Sequence, residues 1–435
     1  MNLLLAISQL ILCVVITIFE YKKRSIGMFL WAILLVIFSI PHFIGICMAA
    51  NIYDKSVLQE ASLFFIAFQV LYILSRIIIT RKSYKYALIY DEKEDYELKQ
   101  ESTKFNFYRY FRINILVVII FIIYFWLTFG KIIGLSWGQV YTASISATSL
   151  TKKVLEMIKD FNLILYFSVT GLLFVSYKAD KKWCSLFIAL VILYYTFTTQ
   201  NRIGILPLIV SIINLFICKY KKVSIKQIII LGTIGIITVY SVYGILIFRH
   251  AGSVKNFIDK YDFSGFNKEV INSIVNGDGE LGLRNYFYYF INIDNQFPGL
   301  GEGATYWRIA LMFVPTKLSF GLKPEDFAVT MSSAYTGNMN NTTYSIHPTF
   351  LGDAYANYGW YGITLSMLWA LIIYFLDQYI YGKEYILKEL LITIWGTALI
   401  IVGRGSVYNG VYIGIMATII VNIINIFKNT KIVIK

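Results

Sequence analysis

Three short polar segments interrupt the apolar runs of this 435-residue chain, and each contains a side chain that can bind an anion or transfer a proton. They contain Arg202 within TTQNRIG, the pair Glu280 and Arg284 within GELGLRN, and His347 at the start of HPTFLGDAYANYG. Guanidinium groups bind phosphate oxygens in a bidentate fork and keep their charge near neutral pH. Histidine can move a proton near neutral pH. The three segments therefore predict a site for an anionic substrate.

Other residues near these segments are candidates to bind the same substrate. Asp353 and Tyr355 follow His347 at the start of an apolar run, and Arg404 lies between two glycines where two later runs meet. Arg249 comes directly after an apolar run, where anchoring at the membrane interface is the simpler explanation. Tyrosine and tryptophan rings, of which the chain has 34 and 8, also offer large rigid surfaces to sugar rings.

Each segment also has an ordinary structural explanation. Arg202 could extend its guanidinium to the membrane interface from the end of a span. Glu280 and Arg284 could be an exposed helical pair that contributes only about 0.3 kcal/mol. His347, which precedes a proline, could belong to a turn without chemistry. Against these explanations, ionisable groups close to a bilayer are costly and are therefore functional candidates by default.

Motifs for nucleotides and metals are missing from the sequence. It contains no P-loop, no dinucleotide glycine motif, no HExxH and no EF-hand loop. The acidic cluster at 91–95 falls on the predicted inner side, away from the other candidates. We therefore expect no metal and no cofactor. If the protein is a transferase, its donor is already activated as a lipid diphosphate, and arginines take the leaving-group charge.

Membrane-spanning helices are the elements that must position these residues. The chain is 57% hydrophobic and only 15% charged, whereas a soluble domain is about 25% charged. Crossing a hydrocarbon core about 30 Å thick takes roughly 20 apolar residues in a helix. We expect an all-α polytopic membrane protein with about eleven spans (ten to twelve), at residues 3–20, 27–50, 60–80, 113–130, 158–177, 184–200, 203–218, 226–247, 359–377, 389–403 and 407–427.

The basic residues lie in short tracts between apolar runs, which the positive-inside rule explains without a nucleic acid, although the formal net charge is +14. This pattern places the N-terminus outside and the C-terminal tail in the cytoplasm. Residues 81–112 are then a solvated inner loop. Residues 249–358 form a large outer loop, which we expect to fold as a small helical cap on the outer face. The chain thus divides into spans 1–248, the cap 249–358, and spans with tail 359–435.

These residues and this layout resemble the O-antigen polymerase family, the Wzy-type polymerases of oligosaccharide repeat units, and more distantly the O-antigen ligases. The similarity lies in the number of spans, the large loop before the last few spans, and three ordered local patterns. These are QNRIG around Arg202, ELGLR with the later PGLGEG after Glu280, and the segment from His347 to Gly362.

The resemblance implies a fold similar to GT-C glycosyltransferases in the bacterial inner membrane, with a site that faces the periplasm. It implies transfer of a growing glycan from undecaprenyl diphosphate to the terminal sugar of a lipid-linked repeat unit. Arg202 and Arg284 would hold diphosphate, and His347 would act as base or diphosphate ligand. Glu280 would orient Arg284. A co-polymerase that determines chain length would be a partner.

The remaining candidates have secondary roles in this scheme. Asp353 and Tyr355 would line the acceptor side, and Arg249 and Arg404 would add positive charge for the substrate. Two other functions stay open: a flippase or transporter for lipid-linked oligosaccharides, which would carry its charges near the bilayer midplane, and an O-antigen ligase. The outward position expected for the cations favours the polymerase over the flippase.

Overall fold

The computed structural model describes residues 2–47, 53–80, 107–135, 139–140, 142–143, 149–199, 201–219, 254–276, 279–315, 318–340 and 344–429, with the isolated positions 233, 240, 244, 247 and 251. Every regular element in these residues is helical, which confirms the expected fold class at that level. The expected span at 226–247, the inner loop up to residue 106, Arg249 and the end of the tail lie outside the described residues.

The described residues of the first half of the chain form nine helices. They are α1 (Asn2–Lys22), α2 (Gly27–Leu34), α3 (Ile40–Cys47), α4 (Lys55–Thr80), α5 (Phe107–Phe129), α6 (Leu150–Thr170), α7 (Leu172–Lys178), α8 (Lys182–Thr199) and α9 (Leu206–Lys219). A π-helical turn, Leu35–Ser39, joins α2 to α3, and a 3₁₀ turn, Arg202–Ile205, precedes α9.

Nine more helices lie in the described residues of the second half. They are α10 (Val254–Lys260), α11 (Phe263–Asn276), α12 (Leu283–Asn292), α13 (Ala304–Ala310), α14 (Phe327–Thr336), α15 (Thr349–Tyr358), α16 (Leu365–Tyr381), α17 (Tyr385–Gly403) and α18 (Val407–Asn429). A 3₁₀ turn, Gly359–Thr364, joins α15 to α16.

Nine helical segments of the described chain are long and apolar enough to cross a membrane. They match nine of the eleven expected spans. The expected span at 203–218 corresponds to the 3₁₀ turn and α9, where the apolar helix Arg202–Leu215 is shorter than a full span. The ninth expected span, 359–377, lies within the helical stretch Thr349–Tyr381, which consists of α15, a 3₁₀ turn and α16.

The chain divides into two compact units that do not follow the expected sequential segments. The first unit contains residues 1–89, 271–381 and 398–412, and the second contains 90–270, 382–397 and 413–435. In the second unit α5 packs on α6, and the Asn162 amide donates to the Val117 carbonyl (3.0 Å). There the buried Asn214 amide donates to Glu389 (2.6 Å), which joins α9 to α17.

In the first unit, α4 presents a polar stripe to its neighbours. Ser62, Gln69 and Arg76 recur every seven residues and are buried, so they lie on one face of the helix. The Gln69 amide donates to the Gln9 carbonyl of α1 (3.0 Å), and the Ser39 hydroxyl donates to the Gln9 side chain (3.0 Å). Interhelical hydrogen bonds of this kind hold apolar helices together in a bilayer.

A buried ion cluster lies at one end of this bundle. We call this end the Thr80 end, because α4 finishes there at Thr80. The Arg76 guanidinium donates to Glu20 through two nitrogens (both 2.7 Å) and to Asp377 (3.0 Å). Tyr72 donates to Glu20 (3.0 Å). A side chain at Gly27 would lie 3.1 Å from both Glu20 and Tyr72, so the absence of one leaves room for the cluster. The cluster fixes α1, α4 and α16 to one another.

Two short helices, α12 and α15, lie side by side. They run from the middle of this bundle toward its other end, which we call the Lys55 end because α4 begins there at Lys55. The Phe350 ring contacts Phe68, halfway along α4, whereas Tyr355 contacts Phe64, one turn nearer Lys55. After the 3₁₀ turn the chain reverses, because Trp369 of α16 lies against Phe350 (5.3 Å between ring centroids). Each helix is ten residues long, about 15 Å, which is half a span.

The direction of α12 follows from its contacts with α15. A side chain at Gly352 would meet Phe287 at 3.1 Å. Farther along both helices, the Asn295 amide donates to the Tyr355 carbonyl (2.6 Å). The two helices are therefore parallel, and both begin inside the bundle. The N-terminus of a helix carries partial positive charge, and in both helices this end points to the middle of the first unit.

Candidate functional site

Glu280 and Arg404 form an ion pair beside the N-termini of the two short helices. Arg404 Nε donates to Glu280 Oε2 (2.6 Å), and both side chains are mostly buried. Glu280 lies just before α12, and Arg404 lies in the turn between α17 and α18. The sequence suggested Arg284 as the partner that Glu280 orients, whereas the structure gives it Arg404 as an ion-pair partner. This contact could not be read from spacing, because it joins residues 124 positions apart.

A tight backbone contact holds the start of α15 against the same turn. The Thr349 amide donates to the Arg404 carbonyl (3.2 Å). Gly405 has φ +98°, and a side chain there would lie 2.6–2.8 Å from the Thr349 backbone. Thr349 itself has φ +64°, an uncommon conformation for a β-branched residue that costs on the order of 1–3 kcal/mol. The strain lies at the point where α15 enters the cluster.

His347 lies two residues before α15 and completes the cluster. Burial and the positive charge of Arg404 lower the pKa of the His347 ring to about 3, although Glu280 and the Gly405 backbone act in the opposite direction. The ring is therefore neutral at physiological pH. Its Nδ1 is buried and has no hydrogen-bond partner. A neutral ring with such a nitrogen can accept a hydrogen bond or a proton from a bound hydroxyl.

The cluster lies inside the bundle of the first unit. A side chain at Gly403 would contact Ile33 and Leu30 of α2, which are about 20 Å along the helix from Cys47 at the far end of that span. Phe350, beside the cluster, contacts Phe68 at the middle of α4. Within the first unit, Arg404 therefore lies away from the Cys47 end of that span, and the expected position of the cations at the outer rim stays a prediction. The site lies inside the bundle because α12 and α15, which are too short to be recognised as spans, begin there.

Arg284 lies on the first turn of α12 and is almost fully buried. Its Nη1 donates to the Leu281 carbonyl, and its Nε has no hydrogen-bond partner. The guanidinium lies beside the Tyr288 hydroxyl, one turn along the same helix. Arg284 is thus a buried cation whose donors are not all used, at a helix N-terminus. Both features favour an anion as the missing partner.

A directed hydrogen-bond chain continues from Tyr288 into α3 and α4. Ser62 donates its only proton to the Leu58 carbonyl (2.9 Å), so His42 Nε2 must donate to Ser62 Oγ (2.7 Å). His42 Nδ1 is then an acceptor, and Tyr288 donates to it (2.5 Å). Burial raises the pKa of Tyr288, which keeps its proton. The Tyr288 oxygen can therefore accept from the Arg284 side.

Sequence reasoning missed Tyr288 and Ser62. The recurrence of Ser62, Gln69 and Arg76 at every seventh position of an apolar run was a signal that could have identified a buried polar face. The role of Tyr288 had no comparable signal, because it lies in the aromatic run 286–290, where several side chains could have faced the bundle.

Asp353 and Tyr355 are inside the structure of α15. Asp353 accepts from the Thr305 hydroxyl and the Asn357 amide (both 3.1 Å), and Gly303 N–H donates to the Asn357 carbonyl (3.0 Å). Tyr355 is buried against aromatic rings of α4 and α12. Asp353 thus joins Thr305 of α13 to α15, and its predicted contact with an acceptor remains a prediction.

The two remaining predicted cations are Arg202 and Arg249. Arg202 belongs to the second unit, where it begins the 3₁₀ turn behind the N-cap Asn201, whose side chain accepts from the Ile203 amide (3.1 Å). Arg249 lies outside the described residues.

The arrangement described above is a cationic cluster at the N-termini of two half-span helices. Arg284 and Arg404 supply charge, and His347 supplies a neutral ring. No group of three or more His, Cys, Asp or Glu side chains that could hold a metal ion occurs in the part of the chain that is described. Comparison with protein-family models, with curated proteins and with solved structures finds no match for this chain.

Proposed function

We propose that the protein is a glycosyltransferase of the O-antigen polymerase type in the bacterial inner membrane, with a site reached from the periplasm. The convergence of Glu280, Arg404 and His347 from three distant parts of the chain, beside two helix N-termini and Arg284, carries this proposal. A lipid diphosphate is the anion that such a cluster suits best, because guanidinium groups and N–H groups bind phosphate oxygens.

The substrates follow from the resemblance together with this cluster. The donor is a growing glycan on undecaprenyl diphosphate, and the acceptor is one repeat unit on the same carrier. A hydroxyl of the acceptor's terminal sugar attacks the anomeric carbon of the donor. The new glycosidic C–O bond forms while the bond between that carbon and the diphosphate oxygen breaks. Undecaprenyl diphosphate leaves with the electron pair.

Each residue of the cluster has its own role in this step. Arg284 and Arg404 stabilise the charge that develops on the departing diphosphate. His347 takes the proton of the attacking hydroxyl at Nδ1, because the negative charge of the bound diphosphate beside the ring raises the affinity of that nitrogen for a proton. Glu280 holds Arg404 until the diphosphate competes for it. That Arg202 also binds diphosphate stays a prediction from the sequence. A partner that determines chain length also belongs to the proposal and rests on the resemblance.

Purified protein with one synthetic repeat unit on undecaprenyl diphosphate, in buffer with a chelator for divalent cations, tests the reaction class directly. We expect a ladder of products that lengthen by one repeat unit, together with released undecaprenyl diphosphate. His347→Ala protein, purified in the same amount, is the control and should give no ladder. An unchanged substrate with well-folded protein would contradict the proposal.

A flippase for lipid-linked oligosaccharides is the second candidate, and the depth of the cluster is the observation that favours it. Transporters bind substrates near the midplane through N-termini of discontinuous helices, and α12 and α15 are short helices of this kind. Cells that lack the gene decide between the two functions. Loss of a polymerase leaves single repeat units on the surface anchor, whereas loss of a flippase leaves none.

A further inference from the structure

A partly exposed tryptophan lies at the Lys55 end of the first unit, beside two carboxylates. Trp360 is in the 3₁₀ turn that follows α15 and is 41% exposed. Its indole N–H donates to Glu60 Oε1 (2.9 Å), and its ring meets the Phe64 ring edge to face (5.7 Å between centroids). Both partners belong to α4, so two contacts with that helix fix the orientation of the tryptophan ring.

Asp294 is the second carboxylate, and it lies just after the end of α12. Asp294 is exposed and Glu60 is partly exposed. Both carboxylates interact electrostatically with the Tyr355 side chain of α15, so they lie at the same place on the surface. No lysine or arginine of the described chain forms an ion pair with either of them. Because an exposed carboxylate is costly in hydrocarbon, this surface faces water.

Asn295, next to Asp294, adds a hydrogen-bond acceptor that the chain does not use. Its side-chain nitrogen donates to the Tyr355 carbonyl (2.6 Å). Its side-chain oxygen, Oδ1, is buried and has no hydrogen-bond partner. A buried acceptor without a donor is costly. A hydroxyl group of a bound ligand is a partner that would satisfy it.

The two ends of α12 and α15 have opposite electrostatic character. Their N-termini lie beside Arg284 and Arg404, whereas their C-termini, which carry partial negative charge, lie beside Glu60 and Asp294. Ten residues of helix separate the two ends, about 15 Å. A diphosphate is attracted to the first end and repelled by the second. The second end suits a neutral ligand whose hydroxyl groups donate to carboxylates.

Sugars have the chemistry that this surface requires. The C–H face of a sugar ring packs on an aromatic ring, while the hydroxyl groups at its edge donate to carboxylate and amide oxygens. A metal ion fits less well, because the described residues contain no group of three or more His, Cys, Asp or Glu side chains that could hold one. An aromatic anchor at the membrane interface would explain Trp360 alone, but it leaves the two carboxylates and the open acceptor unexplained.

We propose that Trp360, Glu60, Asp294 and Asn295 form a binding site for sugar rings of the lipid-linked repeat unit. Trp360 stacks on one ring, and the side-chain oxygens of the other three residues accept hydrogen bonds from its hydroxyl groups. With the diphosphate at the helix N-termini, the substrate then extends along α12 and α15. The identity of this glycan rests on the proposed function.

Saturation-transfer NMR with the repeat-unit oligosaccharide, prepared without lipid or diphosphate, tests the site. Protons of the purified protein in detergent are saturated, and transfer to the sugar protons is followed as the oligosaccharide concentration is raised, which gives a Kd. Trp360→Ala is the first variant. Asp294→Asn is the second and keeps the test valid if the first fails to fold, because Asp294 is exposed. Trp183→Ala is the matched control, on an exposed tryptophan of the second unit.

The parent protein and the Trp183→Ala protein should bind the oligosaccharide with the same Kd. Trp360→Ala is expected to raise the Kd about 2- to 10-fold, the usual contribution of one stacked aromatic ring. Asp294→Asn should raise it as well, because a charged acceptor is lost. Absence of transfer in the parent protein, or a Kd that neither variant changes, would overturn the proposal.

This test needs neither a lipid diphosphate nor catalysis, so it separates the sugar site from the reaction. If the parent protein makes the product ladder but its Kd does not depend on Trp360 or Asp294, the sugar site is wrong and the proposed function stands. If binding depends on these residues but no ladder forms, the sugar site stands and the polymerase is contradicted.

Discussion

Arg404 donates to Glu280 across 124 residues of chain, and this ion pair lies level with the middle of the neighbouring helix α4. The pair neutralises two charges that would be costly to bury alone. With Arg284 nearby and His347 neutral, the cluster carries one positive charge beyond the pair. An arriving diphosphate can therefore bind Arg284 and the helix N-termini first and then compete with Glu280 for Arg404.

Arg284 and Arg404 are both predicted to be needed for the reaction. Arg284→Ala and Arg404→Ala should each lower the rate of product formation by about 10²–10³, the usual loss for one charge-stabilising group. Lysine should restore little at either position, because a single ammonium cannot form the bidentate fork. Initial rates with the lipid-diphosphate substrate, normalised to folded protein, measure this. Full-rate Arg404→Ala protein would remove Arg404 from the mechanism.

Gly405→Ala is predicted to disrupt the site through the backbone. The new methyl group would overlap the Thr349 backbone at 2.6–2.8 Å, and φ +98° is unfavourable for alanine. The start of α15 must then move away from Arg404, so we expect loss of most activity. Gly337→Ala is a matched control, since Gly337 also has positive φ (+65°) but has open space around it. Equal effects of the two substitutions would mean that strain alone, and not displacement of α15, is responsible.

Tyr288→Phe is predicted to lower the stability of the first unit and to remove a hydrogen-bond partner of the Arg284 guanidinium. The substitution leaves His42 Nδ1 buried without its donor, a loss of about 1–3 kcal/mol. The midpoint of thermal unfolding in detergent should fall, and the rate of product formation should fall as well. Tyr361→Phe, on an exposed tyrosine, is the control and should change neither. If the Tyr288→Phe protein is as stable and as fast as the parent, the hydrogen bonds from Tyr288 through His42 to Ser62 contribute to neither stability nor the reaction.

The ion cluster at the Thr80 end is predicted to stabilise the fold without taking part in the reaction. Arg76→Met leaves Glu20 buried and unpaired, which should cost about 3–5 kcal/mol. Adding Glu20→Gln should recover part of that loss, because the buried negative charge is then removed. Unfolding in detergent of the single and double variants gives the comparison. Lys182→Met, which removes an exposed pair with Asp180, should be within about 0.5 kcal/mol of the parent.

Acid is predicted to destabilise the protein partly through His347. The folded-state pKa of His347 is lowered to about 3, whereas an unfolded histidine has a pKa of about 6.5. Between these values the unfolded chain binds a proton that the folded chain does not. Stability is therefore present above about pH 6.5 and is lost as the pH falls toward 3. His347→Gln should reduce the slope of stability against pH over this window, and an unchanged slope would contradict a buried neutral ring.

The sequence was sufficient to identify the class of protein and the residue types of the site. Apolar runs of about 20 residues can satisfy their backbone in a bilayer only as helices, so nine spans could be located from composition alone. Arg284, Glu280, His347 and Arg404 were also recognised, because ionisable residues near such runs are rare enough to stand out. Their proximity could not be derived, since no periodicity relates residues 280, 347 and 404.

Only the tertiary structure decided the depth of the site and the partners of its charges. α12 and α15 are ten residues long, too short to register as spans, yet packing against Phe64 and Phe68 carries their N-termini to the middle of the first unit. Asp353 shows the same limit, because its carboxylate is bound by Thr305, 48 residues away. Hydropathy along a chain is a local property, whereas burial and charge pairing depend on which distant segments the fold brings together.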